Sequence, residues 1–330
     1  MPIDSTELKF YRAETNADGA SNGGRMSSSE IVSATPNNIF PPVTVAERTN
    51  GVTRWRKLYA KVADAENGIL YLARLVMTQF TKTGDAVYFA VGGQRDTEGD
   101  LTGNEPLHGC GYLASSVAAG ATSIDVTVED GSVAIFRDGE KIHIEDGVNE
   151  EEATISGAPS VNGNTVTLPL AAGLSNGYSG GLDANGDPYT RIGSVYEAGD
   201  VQPARTTPTV TSSQGTLDES QISLSNIGTV EQDWTLTFTS ATAFDLTGDT
   251  IGAAGSGTIG SDFAPDNPDF PGNPWFTIPS AAWGGTWQAG DTVTFTTHPA
   301  AVPVWAKLVV PAGTGAGQAD WELLFSGESA

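Results

Sequence analysis

Along most of this chain, polar and apolar residues alternate with a period of two. Residues 123–128, Ser-Ile-Asp-Val-Thr-Val, are the clearest case, and 141–145, 234–239 and 291–296 repeat the pattern. That period puts one face of a strand in a core and the other in water, as in an antiparallel sheet. Further strands are expected at 54–62, 69–77, 86–91, 152–156, 164–170 and 275–278. Turn chemistry separates them: Asn67-Gly68, Gly84-Asp85, Asp138-Gly139, Asn162-Gly163 and Gly248-Asp249. Helical spacing is scarce. Residues 42–48 allow a turn or two, and Ser27-Ser28-Ser29-Glu30 is a weak cap. Strands recurring at roughly 10–14 residue intervals predict an all-β, multi-domain fold of antiparallel β-sandwiches or barrels.

Charge divides the chain. The whole carries 16 Lys+Arg against 40 Asp+Glu, a formal net charge of -24. Residues 1–100 hold 11 basic and 12 acidic residues, leaving 5 and 28 for the rest. A shift of that size marks a boundary near residue 100. Six of the seven Trp fall between 234 and 321. Residues 92–106 and 200–221 are rich in Gly, Pro, Ser and Thr and read as connectors.

The strands at 54–91 cannot close a sandwich alone. A hairpin of 305–310 and 321–326 would supply the missing strands. The expected organisation is therefore a discontinuous base β-sandwich domain, 1–106 plus 300–330. Its first fifty residues would form an extended N-terminal arm lying along a neighbouring subunit. Two small β domains are inserted, an acidic one at 107–200 and a second at 215–299, joined by a linker at 201–214.

The acidic balance argues against phosphate-mediated nucleic-acid binding and against polybasic membrane contact. No run reaches the 18 or so apolar residues of a membrane helix. The first residues, MPIDSTELKF, have no basic or apolar signal region, so no leader is expected. Cys110 is the single cysteine and has no disulfide partner.

Candidate chemistry is thin. His108 and Cys110 could form a base and nucleophile, but sequence adjacency rarely gives that geometry, and a small buried thiol is the plainer reading. His143 is expected to face solvent from a strand, and His298 to sit in a loop. Asp183-Ala184-Asn185-Gly186-Asp187 starts like a calcium loop, but Ser194 stands where the bidentate Glu belongs. The acids at 145–152 and Asp262, Asp266 and Asp269 read as solvated loops. Trp275, Trp283 and Trp287 could stack on sugar rings, although aromatic residues of a small sandwich more often fill its core. No catalytic residue, metal or cofactor is expected, beyond weak adventitious Ca²⁺. Arg48, Arg54, Arg56, Lys57 and Lys61 make the base near-neutral and are the candidates for subunit contact.

The two ends of the chain carry a set of short motifs: Asn22-Gly23-Gly24-Arg25-Met26-Ser27, Asn37-Asn38-Ile39-Phe40-Pro41, and Arg54-Trp55-Arg56-Lys57-Leu58-Tyr59-Ala60-Lys61-Val62. Val304-Trp305-Ala306-Lys307-Leu308-Val309-Val310-Pro311-Ala312-Gly313 and Gly327-Glu328-Ser329 close the set. Together they resemble a family of tailed-bacteriophage virion structural proteins. The resemblance is confined to the N- and C-terminal parts and brings no catalytic residue. It implies a structural protein of the virion, assembled in the host cytoplasm as a homo-oligomer among other virion proteins. A place in the tail, baseplate or neck is expected, with capsid decoration as an alternative. A carbohydrate-binding or carbohydrate-degrading module is the alternative of another class.

Overall fold

The structure, a computed structural model, describes residues 2–81, 83–317 and 320–329. The chain is all-β, in several antiparallel sheets, with one short helix α1 (Val45–Asn50) among the described residues. Thr44 and Glu47 close a capping box at the start of α1. The first part holds β1 (Leu8–Thr15), β2 (Gly23–Glu30), β3 (Val52–Val62), β4 (Leu70–Met77) and β5 (Ala86–Val91). The middle holds β6 (Cys110–Leu113), β7 (Ser123–Thr127), β8 (Lys141–Glu145), β9 (Glu150–Thr154), β10 (Ser160–Asn162), β11 (Thr165–Pro169) and β12 (Arg191–Val201). Next come β13 (Ala204–Arg205), β14 (Thr209–Thr211), β15 (Gln214–Leu217), β16 (Ser223–Leu224), β17 (Gln232–Phe238), β18 (Ala243–Gly248) and β19 (Gly252–Thr258). They are followed by β20 (Phe276–Thr277), β21 (Trp283–Thr286) and β22 (Thr292–His298), and the chain ends with β23 (Ala301–Val310) and β24 (Leu323–Glu328).

Both ends of the chain build one sandwich. One layer has the order β2-β1-β3-β23-β5, and β4 lies between β12 and β24 in the other. β23 pairs with β3 along its whole length, from Ala301 opposite Lys61 to Val310 opposite Val52. Leu58, Ala60 and Val62 point between the layers and meet Leu75, Met77, Phe89, Val304 and Phe325 in one buried cluster. Strands from both ends thus share these layers, and three features differ from the expected base. β23 and β24 do not form a hairpin; they lie in opposite layers, β23 between β3 and β5 and β24 at the edge beside β4. β3 and β4 flank Asn67-Gly68 but also lie in opposite layers. Asp64 organises that crossing by accepting the Glu66 and Gly68 N–H groups at 2.9 and 2.5 Å. The N-terminal segment is no free arm. β1 pairs with β3 and β2 with β1, because Tyr11, Ala13 and Met26 find apolar partners in Tyr59 and Ala301 of their own chain.

The first insertion is a closed antiparallel barrel. Going round, β9 pairs with β8, β8 with β12, β12 with β6, β6 with β7, and β7 with β11. A bridge between Ile155 and Leu170 returns β11 to the end of β9. The alternating Ile124, Val126, Ile142, Ile144, Val166, Leu168 and Ile192 fill its interior. The expected boundary at residue 200 does not separate two bodies. β12 belongs to both: residues 191–194 pair in the barrel, and 195–201 pair with β4 of the base.

The second insertion is a sheet of order β13-β22-β17-β18-β19, with β14 also on β22, covered by the short ladders β15–β21 and β16–β20. The segment 201–214 is therefore not a free linker. β13 and β14 use their backbone groups to cover the edge of β22. The core is aromatic: Phe238 stacks on Trp287 with centroids 4.2 Å apart, and Trp234 meets Trp275 at 5.0 Å.

Candidate functional site

The five cations expected at a subunit contact are engaged inside the chain. Arg48 pairs with Asp85 at 2.5 Å, Arg54 with Glu47 at 2.5 Å, and Arg56 with Asp18 at 2.7 Å. Lys57 pairs with Asp96, and Lys61 is fully buried. The correction has one physical cause for the two lysines. Lys57 and Lys61 alternate with Leu58, Ala60 and Val62, so they read as the wet face of a strand. In the structure that second face is covered as well, by the 92–97 loop and by the third domain.

Lys57 sits at a hub built from both ends of the chain. Its ammonium donates to Gly24 O at 2.9 Å and Asp96 O at 2.8 Å, beside the Asp96 carboxylate. Trp305 donates its indole N–H to Asp96 Oδ2 at 3.2 Å and stands edge-on to Trp55. Tyr59 Oη lies 2.6 Å from Gly24 O and 2.7 Å from Gln94 O. Burial is the main reason the Lys57 ammonium has a lowered pKa, and Asp96 opposes it. Asn22 is fully buried and donates to Trp55 O and Glu98 Oε2, both at 2.9 Å. Gly23 has φ +106°, and a Cβ there would lie 2.7 Å from the Trp305 ring. The glycine is needed for both the backbone conformation and the close approach. Residues 92–106, expected as a connector, thus begin with a clamp.

A second polar seam holds the third domain to the base. Arg95 makes a bidentate pair with Asp233, 2.7 Å on each arm, and reaches Glu231 at 2.6 Å. The guanidinium holds Asp233 down at about 2. Arg25 pairs with Asp249 at 2.5 Å. The Asn226 side-chain amide donates to Gly68 O, and its backbone N–H donates to Asn67 Oδ1, both at 2.8 Å. Lys61 Nζ donates to Ile227 O at 2.8 Å and lies over the rings of Phe270 and Tyr11, 4.6 and 5.7 Å from their centroids. Burial pushes its pKa down to about 7. His298 is the last residue of β22 and shares a 2.6 Å hydrogen bond with the buried Glu231.

The remaining candidates resolve individually. Cys110 is buried and its thiol, pushed up by burial, donates to Gly111 O, not to His108. His108 stacks on Phe89 and is pushed down to about 4, mainly by burial. Neither a thiolate nor a cysteine–histidine hydrogen bond is present. His143 is 6% exposed, so it is not open to solvent as expected: it lies on the face of β8 opposite Ile142 and Ile144 and is flanked by the Glu145 and Glu150 carboxylates, each at 3.7 Å. Asp183 accepts the N–H groups of Asn185 and Asp187 at 2.8 Å each, which organises that loop. The acids at 145–152 are not simply solvated. Glu151 accepts from Ser175 and Asn176, and Glu152 pairs with Arg74. Trp275 and Trp287 are buried and Trp283 is half-buried against Phe238 and Phe244. The three fill the third domain's core instead of offering a sugar platform.

Two clefts lie at the domain junctions. One, about 340 Å³, is framed by Gln94, Tyr196, Gln202 and Val302. The other, about 420 Å³, lies between base and barrel and contains Glu129. Sequence reasoning missed Glu129, because an acid in a Val-Glu-Asp-Gly turn carries no distinguishing signal. Comparison with protein families, with curated proteins and with solved structures gave no match to this chain.

Proposed function

We propose that this protein is a non-enzymatic structural subunit of a tailed-phage virion, in the tail, baseplate or neck. The observation that carries the reading is the hub. Asn22, Gly23, Gly24, Trp55, Lys57, Tyr59 and Trp305 all come from the terminal motifs that resemble virion proteins, and they meet around Asp96. Motif residues that pack on one another in this way suit a scaffold. The domains are also joined by a shared strand and by ion pairs at their seams, which suits a rigid spacer. In this reading the acidic barrel and third domain project, and their like charge keeps them from stacking on one another within the roughly 8 Å screening distance at physiological salt. With the five cations committed internally, contact between subunits falls to other surfaces of the base.

The test is mass spectrometry and cryo-electron microscopy of purified particles. The proposal requires the protein at fixed stoichiometry in the tail, baseplate or neck. Density on the capsid lattice would move it to a decoration role. Absence from particles, or chelator-sensitive release of oligosaccharide from host lipopolysaccharide, capsule or peptidoglycan, would overturn it.

A further inference from the structure

The cleft between base and barrel has the makings of a small binding site. Its apolar wall is Phe80 and Tyr112, whose rings stand edge-to-face with centroids 5.0 Å apart. Leu182, exposed, lies at its rim with Asn185. Glu129 is its acid. Thr81 fixes Glu129 Oε1 from two sides, the backbone N–H at 3.1 Å and the hydroxyl at 2.6 Å. Among the described residues no Lys or Arg forms an ion pair with Glu129. Arg48 of α1, which reaches the adjoining Gly84-Asp85 turn, is committed to Asp85. This sets Glu129 apart from the buried Asp85 and Glu231, which both have cationic partners. The carboxyl is pushed up to about 7, chiefly by burial.

A carboxylate held in a mostly apolar cleft beside two aromatic rings matches one kind of guest. A protonated amine on an alkyl stem offers a charge to the carboxylate, a cation to the rings and apolar length to the walls. The chain's net charge of -24 raises the local concentration of such cations. We propose that this cleft binds a protonated primary amine carried on an alkyl chain, the end group of a free polyamine or of a lysine side chain. The other ionisable groups that sense Glu129 are Tyr88 and Cys110, both held neutral by burial, and Asp130 stands beside it in the chain. None of them supplies a competing cation.

The experiment titrates the full-length protein with n-butylammonium, spermidine and Nα-acetyl-lysine amide by isothermal titration calorimetry, and in the unmodified chain also follows the Glu129 side-chain carboxyl by ¹³C NMR. n-Butanol is the neutral control. The expected result is saturable binding of the amines at pH 8, up to about tenfold weaker at pH 6 and about tenfold weaker or more in Glu129→Gln. A preference for spermidine assigns the site to free polyamines, and a preference for acetyl-lysine amide assigns it to a side chain. The pH comparison in the unmodified chain stands even if the variant does not fold. Equal binding of n-butanol, or amine binding unchanged by pH, would overturn the proposal. So would binding seen only in Lys82→Ala, because the chain's own lysine, which lies outside the described residues, would then be the occupant.

Discussion

Replacing Lys61 with methionine should make the protein more stable at neutral pH and remove a pH dependence. Lys61 is 0% exposed, donates one hydrogen bond to Ile227 O, and faces two aromatic rings instead of a carboxylate. Its pKa falls from 10.5 to about 7 because burial penalises the charged form. At about 1.4 kcal/mol per pH unit, that displacement represents a cost of about 5 kcal/mol for holding the ammonium in the fold. Below about pH 7 the lysine is charged in folded and unfolded chains alike, and the full cost is present. Between about 7 and 10.5 the unfolded chain binds the proton and the folded chain does not, so stability rises with pH. Above 10.5 both are neutral and the cost is gone. A methionine side chain would fill nearly the same volume without titrating, but it would leave Ile227 O without its donor, at about 1–3 kcal/mol. Lys61→Met should therefore be more stable than the parent by about 2–4 kcal/mol at pH 6.5. The advantage should shrink by about 3 kcal/mol between pH 7 and 9.5. Urea unfolding of both proteins at half-unit pH steps measures this. A stability difference that stays level across the range, or a parent that is the more stable at pH 6.5, would refute the reasoning.

Four further outcomes follow from the packing. Asp96→Ala strips Lys57 of its carboxylate but leaves two backbone acceptors, so a loss of about 3 kcal/mol in chemical denaturation is expected, at the lower end for a broken buried pair. Gly23→Ala forces a side chain into positive φ and against Trp305, and should cost at least about 2 kcal/mol, read as a lower thermal midpoint. Trp287→Ala empties the centre of the aromatic core and should cost about 3–5 kcal/mol, seen as earlier unfolding of the third domain in amide exchange. Cys110 should react with a thiol reagent only after denaturation, since burial keeps it both inaccessible and protonated; rapid labelling of the folded protein would contradict this.

Where one face of a strand meets water, the sequence is transparent. The alternation at 141–145 locates β8 to the residue, and 123–128 and 164–170 locate β7 and β11 nearly as well. These strands bury one face in the barrel, so period two is visible. β3 defeats the same logic. Its Lys57 and Lys61 mark a wet face by type, yet Asp96, Gly24 and Ile227 bring carbonyls and a carboxylate to them from distant segments. Burial of a charge depends on partners that spacing along one strand cannot reveal. β12 is illegible for another reason: nothing in Arg-Ile-Gly-Ser-Val-Tyr-Glu tells where one sheet hands over to the next. Gly193 allows the change, since a Cβ there would lie 2.2 Å from Met77 O. The Glu129 cleft is assembled from five separated segments of loop and strand, so no local pattern announces it.

The pairing of β3 with β23 also sets a schedule for synthesis. Val62 enters the growing chain roughly 240 residues before its neighbours on β23 exist. At ribosomal rates of about 5–20 residues per second, β3 waits about 12–50 s with one edge unpaired. The barrel cannot relieve it, because its own closure needs β12, which arrives only at residue 191. During that interval the nascent chain presents Leu58, Ala60 and Val62 along an open strand edge, the kind of surface that recruits chaperones or a neighbouring nascent chain. Expression slowed or shared across crowded ribosomes should therefore lower this protein's yield far more than its finished stability would suggest.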